Sequence, residues 1–211
     1  MICISLAGIT FQECIKIIGK SDFAEIRIDQ LSLSESQLEA LCAMKKNTIA
    51  TCRPGALTDE KRMSLLKLAM DSGVGYIDIE YEAPEKYRQE LVAYARVKDV
   101  VVILSYHNFE TTPEKHELEH IIDQSLSMGA DRVKLATFAN SKSDNSRILS
   151  LYETHSNLIA FCMGHTGMIT RVAAPFLGSE FTYAAVSKTL ATAPGQLTSD
   201  DFLEIYDIIK E

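Results

Sequence analysis

Residues 99–138 read DVVVILSYHNFETTPEKHELEHIIDQSLSMGADRVKLATF. Residues 99–107 and 131–137 are short apolar runs, which are typical of strands buried on both faces of a sheet. Between them, residues 113–129 place apolar side chains at helical spacing and end at Gly129, which is typical of the end of an amphipathic helix. This segment therefore predicts a strand, a helix and a second, parallel strand.

The same alternation continues along the whole chain. Eight strand–helix units with no Pro-, Gly- or Ser-rich linker predict an α/β fold, a (β/α)8 TIM barrel, with residues 1–211 as a single domain. An open doubly wound sheet is the alternative, but the chain has neither G-x-G-x-x-G after its first strand nor a Walker A sequence. The remaining strand candidates are residues 2–7, 23–29, 47–53, 75–81, 157–163 and 181–186.

The composition excludes several classes of protein. The 211 residues include 21 Lys and Arg against 29 Asp and Glu, a net charge of −8, which argues against a nucleic-acid-binding protein. Hydrophobic residues make up 46% of the chain, too many for a disordered protein. No signal peptide is recognisable, and no apolar run approaches the ~18 residues that span a bilayer. We therefore expect a cytoplasmic protein without a membrane partner.

The cysteines predict no disulfide framework. They are odd in number, widely spaced and contain no C-x-x-C pair, which indicates reduced, mostly buried thiols rather than disulfides or a zinc site. The five are Cys3, Cys14, Cys42, Cys52 and Cys162.

Residues 116–120 read HELEH and match H-E-x-x-H, in which two histidines one helical turn apart bind zinc. At about 100° per residue, Leu118 and Ile122 share one helix face, while His116 and His120 lie on nearly the opposite one. That face meets solvent on the outer helix of a barrel, and no recognisable third ligand accompanies the pair. We therefore predict no metal site here.

Two polar residues of the 99–138 segment indicate catalysis. Lys134 lies inside an apolar strand, where a closed barrel leaves little water around an ammonium group. Burial in general makes such an amine a better nucleophile towards carbonyl groups. His107 ends the preceding strand, at the edge where barrel active sites lie, and can act as general acid and base. The pair predicts Schiff-base chemistry on a small ketone or aldehyde; a snorkelling lysine and a structural histidine are the alternatives.

Positive charge accompanies this pair. Arg27, Arg53 and Arg171 are predicted to lie around the mouth of the barrel, and arginine binds carboxylates in bidentate geometry. The predicted substrate is therefore a small anion, although the chain as a whole is acidic.

Several motifs carry a resemblance to a known family. In order they are AEIRID (24–29), TCRP (51–54), SYHNFETTP (105–113), VKLA (133–136), GHTGMITR (164–171) and APGQ (193–196). At these spacings, and over essentially the whole chain, they resemble type I 3-dehydroquinate dehydratase. The resemblance implies a hydro-lyase of the shikimate pathway of aromatic amino acid biosynthesis. Such an enzyme converts 3-dehydroquinate to 3-dehydroshikimate through a Schiff base, without cofactor or metal, and is often a homodimer.

The resemblance also implies roles for individual residues. Lys134 attacks the ring ketone to form an iminium, and His107 takes a proton from the neighbouring carbon and assists departure of the β-hydroxyl. Arg171 and Gln196 hold the substrate carboxylate, with Thr192 where the family usually has Ser. The other implied substrate contacts are Ser5, Glu25, Arg27 and Arg53, and the implied pocket walls are Phe109, Phe161, Met163 and Tyr183, under a lid formed by residues 189–196.

The chain departs from the family pattern at two positions. Asn108 stands where the family often has Asp, and Leu57 stands where it commonly has a glutamate near the catalytic histidine. Asp59 or Glu60, just downstream, is the hypothesised substitute for that glutamate.

Two other functions remain open. Another Schiff-base barrel, such as an aldolase, would share Lys134 without needing the clamp formed by Arg171 and Gln196. A barrel that only binds an anionic metabolite would need neither Lys134 nor His107.

Overall fold

Strands and helices alternate throughout residues 1–210, which are the residues that the computed structural model describes. The strands are β1 (Ile2–Leu6), β2 (Phe23–Arg27), β3 (Thr48–Thr51), β4 (Tyr76–Glu80), β5 (Val101–Asn108), β6 (Arg132–Phe138), β7 (Leu158–Met163) and β8 (Thr182–Ala185). The α-helices are α1 (Phe11–Lys20), α2 (Glu35–Cys42), α3 (Asp59–Asp71), α4 (Glu85–Lys98), α5 (Lys115–Ser127), α6 (Lys142–Leu149), α7 (Met168–Leu177) and α8 (Ser199–Lys210).

The strands form one parallel sheet in the order β7-β6-β5-β4-β3-β2-β1-β8. Each strand from β1 to β7 pairs with the next in sequence, and β8 returns to lie beside β1. Within residues 1–210, β7 and β8 share no ladder, so the barrel is nearly closed with one open seam. The predicted TIM barrel is confirmed.

Side chains alternate between two apolar layers because successive residues of a strand point to opposite faces. In β6, Val133 and Leu135 pack outward against the helices, whereas Ala136 faces the barrel interior. At the amino ends of the strands the interior is closed by a cluster of aromatic rings: Phe23 lies 4.7 Å from Phe181 and 5.0 Å from Tyr76, centroid to centroid. This floor leaves the carboxyl ends of the strands for polar side chains.

Local capping explains where several helices begin and end. Thr10 and Ser34 form capping boxes with Glu13 and Gln37, so two backbone N–H groups are satisfied at each helix start. Asp99 adopts a left-handed conformation with φ of 55° and ends α4. The sequence pattern predicted a strand from Asp99 onward, but β5 begins at Val101 because this cap precedes it.

All five cysteines are buried free thiols, as the sequence predicted. Burial raises the pKa of Cys42 to about 12, which keeps its thiol protonated and unreactive. None of the helices formed by residues 1–210 combines the length and the apolar character that a bilayer-spanning segment needs.

Gly75 directly precedes β4, and its substitution tests how closely the chain is packed at the amino ends of the strands. A Cβ at this position would overlap the backbone carbonyl oxygen of Lys46. We expect Gly75→Ala to lower the free energy of unfolding by about 1–3 kcal/mol, as overpacking does elsewhere, when measured by urea denaturation. Gly55→Ala is the matched control, because a Cβ there meets no atom within 4 Å. Equal stability of the two variants would contradict this account of the packing.

Candidate active site

A cavity of about 400 Å³ opens at the carboxyl ends of the strands. Its wall contains every residue that the sequence analysis placed in a site except the hypothesised Asp59 or Glu60: Ser5, Glu25, Arg27, Arg53, His107, Phe109, Lys134, Phe161, Met163, Arg171, Tyr183, Thr192 and Gln196. Further wall residues that the sequence analysis did not single out are Gln30, Glu80, Glu82, Ala136 and Ala193. The fold therefore brings together residues from both ends of the chain.

Lys134 lies in the buried part of this cavity, with 5% of its surface exposed. Its Nζ donates to Asp78 Oδ2 at 3.1 Å and lies 4.1 Å from the centroid of the Tyr183 ring. A carboxylate and an aromatic face are both favourable surroundings for a cation. The amine is thus held in one place inside the barrel and faces the cavity.

Asp78 holds the buried cations in place, and sequence reasoning missed it. Its two oxygens accept hydrogen bonds from Lys134, from Arg53 at 2.8 Å and from the Ser105 hydroxyl at 2.5 Å. Burial alone would raise the pKa of Asp78, but the charges of Arg53 and Lys134 outweigh it and hold the pKa well below its usual value. A signal was present in the sequence, since Asp78 interrupts the apolar strand YIDIE as Lys134 interrupts its own.

Glu80 extends this network away from the cavity. Its Oε1 accepts from Arg53 at 2.9 Å and its Oε2 accepts from Arg62 at 2.7 Å. Arg62 is almost fully buried and also pairs with Asp59 at 2.8 Å. Arg53 is therefore clamped between two carboxylates.

The hypothesis that Asp59 or Glu60 replaces the family glutamate is wrong. Asp59 is committed to Arg62, Glu60 is exposed on α3, and neither lines the cavity. Leu57, at the position of that glutamate, packs against the hydrophobic core.

His107 lies near the end of β5, opposite Ala136 of β6. The Phe109 ring stacks beside its imidazole, with centroids 6.1 Å apart and planes 13° from parallel. Burial and the positive charges of Arg53 and Lys134 lower the pKa of His107 well below its usual value, although Asp78 opposes them. A neutral imidazole at pH 7 is equipped to accept a proton.

Arg171, on α7, differs from the other arginines of the cavity. It is 1% exposed and its Cζ lies 4.2 Å from the centroid of the Phe161 ring, yet its Nε and Nη2 have no hydrogen-bond partner among residues 1–210. Burial lowers its pKa to about 10, so it remains charged at neutral pH. A buried guanidinium with unmatched donors is costly alone and is suited to an incoming anion.

The other two arginines do not supply free positive charge, contrary to the sequence-based expectation. Arg27 makes a two-point ion pair with Asp29, at 3.1 and 2.8 Å, and Arg53 is bound by carboxylates on β4. Only the guanidinium of Arg171 is without an ion-pair partner among the described arginines that line the cavity.

Hydroxyl groups fix Glu25 at the side of the cavity. Ser5 and Thr51 each donate to one of its carboxylate oxygens at 2.8 Å, and Glu25 is 3% exposed. The carboxylate is therefore held in one orientation by its neighbours on β1 and β3.

The segment 189–196 lies against the end of β7. Gly164 N–H donates to the Pro194 carbonyl at 3.0 Å, and Gly195 has φ of 72°, with no room for a Cβ against Gly164. The Gln196 side-chain oxygen accepts from the backbone N–H and the hydroxyl of Thr192, at 2.8 and 3.0 Å. That arrangement leaves the Gln196 amide nitrogen as a donor for a ligand.

Two sequence features remain, Asn108 in place of the family's Asp and the H-E-x-x-H motif of residues 116–120. Asn108 Oδ1 accepts from the backbone N–H groups of Glu110 and Thr111 at 3.0 and 2.9 Å, so a neutral amide shapes this loop. His116 and His120 are exposed on α5, and no group of three or more potential metal ligands occurs in residues 1–210.

The lowered pKa of His107 predicts how stability depends on pH. Below the unfolded-state pKa of about 6.5, the unfolded chain binds a proton that the folded chain does not, so stability falls as pH falls. Between pH 6.5 and 5, His107→Gln should flatten the plot of unfolding free energy against pH by up to ~1.4 kcal/mol per unit. His116→Gln, on the exposed face of α5, should keep the wild-type slope in urea titrations. A wild-type slope in His107→Gln would contradict the prediction.

Comparisons with known proteins agree with this geometry. A sequence profile described as Type I 3-dehydroquinase matches residues 2–211. The 3-dehydroquinate dehydratase of Desulfotalea psychrophila is 37% identical over 221 residues, and the match covers 97% of this chain and 96% of that protein. The 3-dehydroquinate dehydratase of Pyrococcus abyssi is also 37% identical, over 219 residues that cover 100% of this chain and 99% of that protein. The crystal structure of 3-dehydroquinate dehydratase from Aquifex aeolicus VF5 has a TM-score of 0.83 and 28% identity, covering 99% of this chain and 98% of that one. This chain belongs to the type I 3-dehydroquinase family.

Proposed function

We propose that this protein is a 3-dehydroquinate dehydratase, a hydro-lyase that converts 3-dehydroquinate to 3-dehydroshikimate in the shikimate pathway, with residues 1–211 as one catalytic domain. One observation carries the proposal: a buried amine, Lys134, and a buried guanidinium, Arg171, which has no ion-pair partner among residues 1–210, line the same cavity. The substrate offers a ketone to the first group and a carboxylate to the second. The names of the relatives from Desulfotalea psychrophila and Pyrococcus abyssi support the assignment.

The reaction begins at Lys134. The Lys134 amine adds to the ring ketone, and the proton that its ammonium gives up leaves with the carbinolamine hydroxyl as water, so that an iminium joins Nζ to the ring. The iminium draws electrons from the neighbouring C–H bond. Asp78, 3.1 Å from Nζ, and the Tyr183 ring lie where they stabilise this positive charge.

His107 moves the protons. Its neutral imidazole takes the proton from the carbon beside the iminium, and the C–H electron pair forms an enamine. The resulting imidazolium gives its proton to the β-hydroxyl, which leaves as water while the double bond forms. Hydrolysis of the imine then releases the product and restores Lys134.

The remaining wall residues position the substrate. Arg171, Gln196 and Thr192 bind the carboxylate, while Glu25, Arg27, Arg53 and Ser5 contact the ring hydroxyls. The side chains of Phe109, Phe161, Met163 and Tyr183 form the apolar part of the wall, and residues 189–196 act as a lid that excludes water.

Borohydride trapping tests the Schiff base. Reduction in the presence of 3-dehydroquinate should add the reduced ligand to Lys134 and inactivate the protein irreversibly, as read by peptide mass spectrometry. Lys134→Ala should show no adduct, whereas Lys142→Ala, at an exposed position on α6, should be trapped like the wild type. A folded wild-type protein without an adduct on Lys134 would refute the proposal. An adduct without dehydration would favour another Schiff-base reaction, such as that of an aldolase.

Arg171→Met tests the carboxylate clamp. A hydrogen bond to a charged group contributes about 1.5–3 kcal/mol, so we expect KM to rise roughly 10- to 150-fold. The melting temperature should stay the same or increase, because the substitution removes a buried charge that no carboxylate of the described residues compensates. Steady-state kinetics and thermal unfolding check the two effects. An unchanged KM would show that Arg171 does not bind the substrate.

A further inference from the structure

The open seam of the barrel leaves one edge of β7 without a strand partner. Backbone groups of successive residues in a strand point to alternate edges. The Asn157 carbonyl, just before β7, accepts from the Val133 N–H of β6 at 2.9 Å, so the odd-numbered residues of this strand face β6. Ala160 and Cys162 therefore face the seam, where β8 forms no ladder with β7 within residues 1–210. Both residues are fully buried, so their backbone groups need partners other than bulk water.

Two side-chain hydroxyls take the place of the missing strand. Tyr152, in the single turn of 3-10 helix that follows α6, accepts from the Ala160 N–H at 2.7 Å and donates to the Ala160 carbonyl at 3.0 Å. Thr170, on α7, accepts from the Cys162 N–H at 2.7 Å and donates to the Gly167 carbonyl at 2.7 Å. The two hydroxyls do the same work for β7, but they belong to different segments of the chain.

The first turn of α7 brings a charged side chain into the barrel. Arg171 directly follows Thr170, and within residues 1–210 it is the one wall residue of the cavity that lies on an α-helix. The helix approaches β7 very closely here, because a Cβ on Gly167 would lie 2.5 Å from the Met163 carbonyl oxygen. Arg171 therefore reaches the cavity from a turn that is seated against β7, beside the seam.

Consecutive residues of α7 contact consecutive residues of β7. Thr170 binds the backbone of Cys162, and the guanidinium of Arg171 lies over the Phe161 ring, with Cζ 4.2 Å from the centroid. The Nε and Nη2 atoms of Arg171 have no hydrogen-bond partner in the part of the chain that the structure describes. The place of the guanidinium therefore depends on how its helix is held.

We propose that Thr170 is a positioning residue for Arg171. Its hydroxyl holds the first turn of α7 against β7 and thereby keeps the guanidinium over Phe161, where it meets the substrate carboxylate. This role rests on the proposed function, because it assumes that Arg171 binds that carboxylate. Thr170 is fully buried and does not line the cavity, so its effect on the substrate passes through Arg171.

Thr170→Val removes the hydroxyl at nearly constant shape, and Thr170→Ser keeps the hydroxyl. Tyr152→Phe is the matched control, because it removes the other hydroxyl of the seam and also leaves buried backbone groups without a partner. The melting temperatures of Thr170→Val and Tyr152→Phe should each fall by roughly 2–12 °C, and all variants are compared below these temperatures. If Thr170→Val does not fold, Thr170→Ala replaces it, since the smaller side chain leaves space for a water at the Cys162 N–H.

The first measurement is the NMR signal of the Arg171 Nε–H in the protein without ligand, assigned from its absence in Arg171→Met. The nearby Phe161 ring makes the chemical shift of this signal sensitive to the position of the guanidinium. Thr170→Val should move the signal, whereas Thr170→Ser and Tyr152→Phe should leave it in place. This readout does not depend on the identity of the substrate.

The second measurement is the steady-state turnover of 3-dehydroquinate. In Thr170→Val, KM should rise roughly 5- to 30-fold with kcat within about threefold, because displacing a group that binds the substrate has effects of this order elsewhere. Thr170→Ser and Tyr152→Phe should keep the wild-type KM. In the Arg171→Met background, Thr170→Val should leave KM unchanged, because a residue that acts through Arg171 has no further effect once the guanidinium is gone.

Four outcomes would overturn the inference: an unmoved Arg171 signal in Thr170→Val, an unchanged KM, an equal rise of KM in the wild-type and Arg171→Met backgrounds, or an equal rise of KM in Tyr152→Phe. The last would show that general loosening of the seam, and not the position of Arg171, weakens binding. Failure of the proposed function looks different, because the wild-type protein would not turn over 3-dehydroquinate, while the NMR comparison would still report whether Thr170 positions Arg171.

Discussion

The carboxylate of Asp78 is the interaction on which the candidate active site depends. Taking an ammonium and a guanidinium out of water costs several kcal/mol each, and the barrel interior does this to Lys134 and Arg53. Asp78 compensates both, with contacts of 3.1 and 2.8 Å, and Ser105 completes its hydrogen bonding. Without this buried carboxylate, Lys134 would have no ion-pair partner among residues 1–210 and Arg53 would be left with Glu80 alone.

The nearly closed sheet explains why the candidate active site lies at one end of the barrel. A barrel has no solvent-facing side on its interior, so apolar rings fill the amino ends of the strands, where Phe23, Tyr76 and Phe181 pack together. Above that layer, polar side chains such as Asp78 and Lys134 bind one another or face the cavity, while at the amino ends of the strands Arg132 and Tyr76 donate hydrogen bonds to Glu180.

The two ends of the cavity differ in electrostatics. On the side of β2 to β4, Arg27 and Arg53 are matched by carboxylates, so this side offers polar contacts with little net charge. On the side of α7, Arg171 keeps its charge without an ion-pair partner among residues 1–210. Under the proposed function, this asymmetry orients the substrate with its carboxylate at Arg171.

The sequence by itself determined the alternation of strands and helices and singled out Lys134 and His107 in apolar strands, because periodicity and capping are local properties of the chain. Only the tertiary structure showed that both side chains face the cavity. The same pattern contained Asp78, but its importance was not visible, since its partners lie on β3, β5 and β6 and meet it only when the sheet curves into a barrel. Tertiary structure also decided that Asp78 and Glu80 neutralise the charge of Arg53, whereas Arg171 has no ion-pair partner among residues 1–210. It placed Asp59 against Arg62 instead of in the cavity. The physical reason is that ion pairing depends on distances across the closed sheet, which no local pattern of residues specifies.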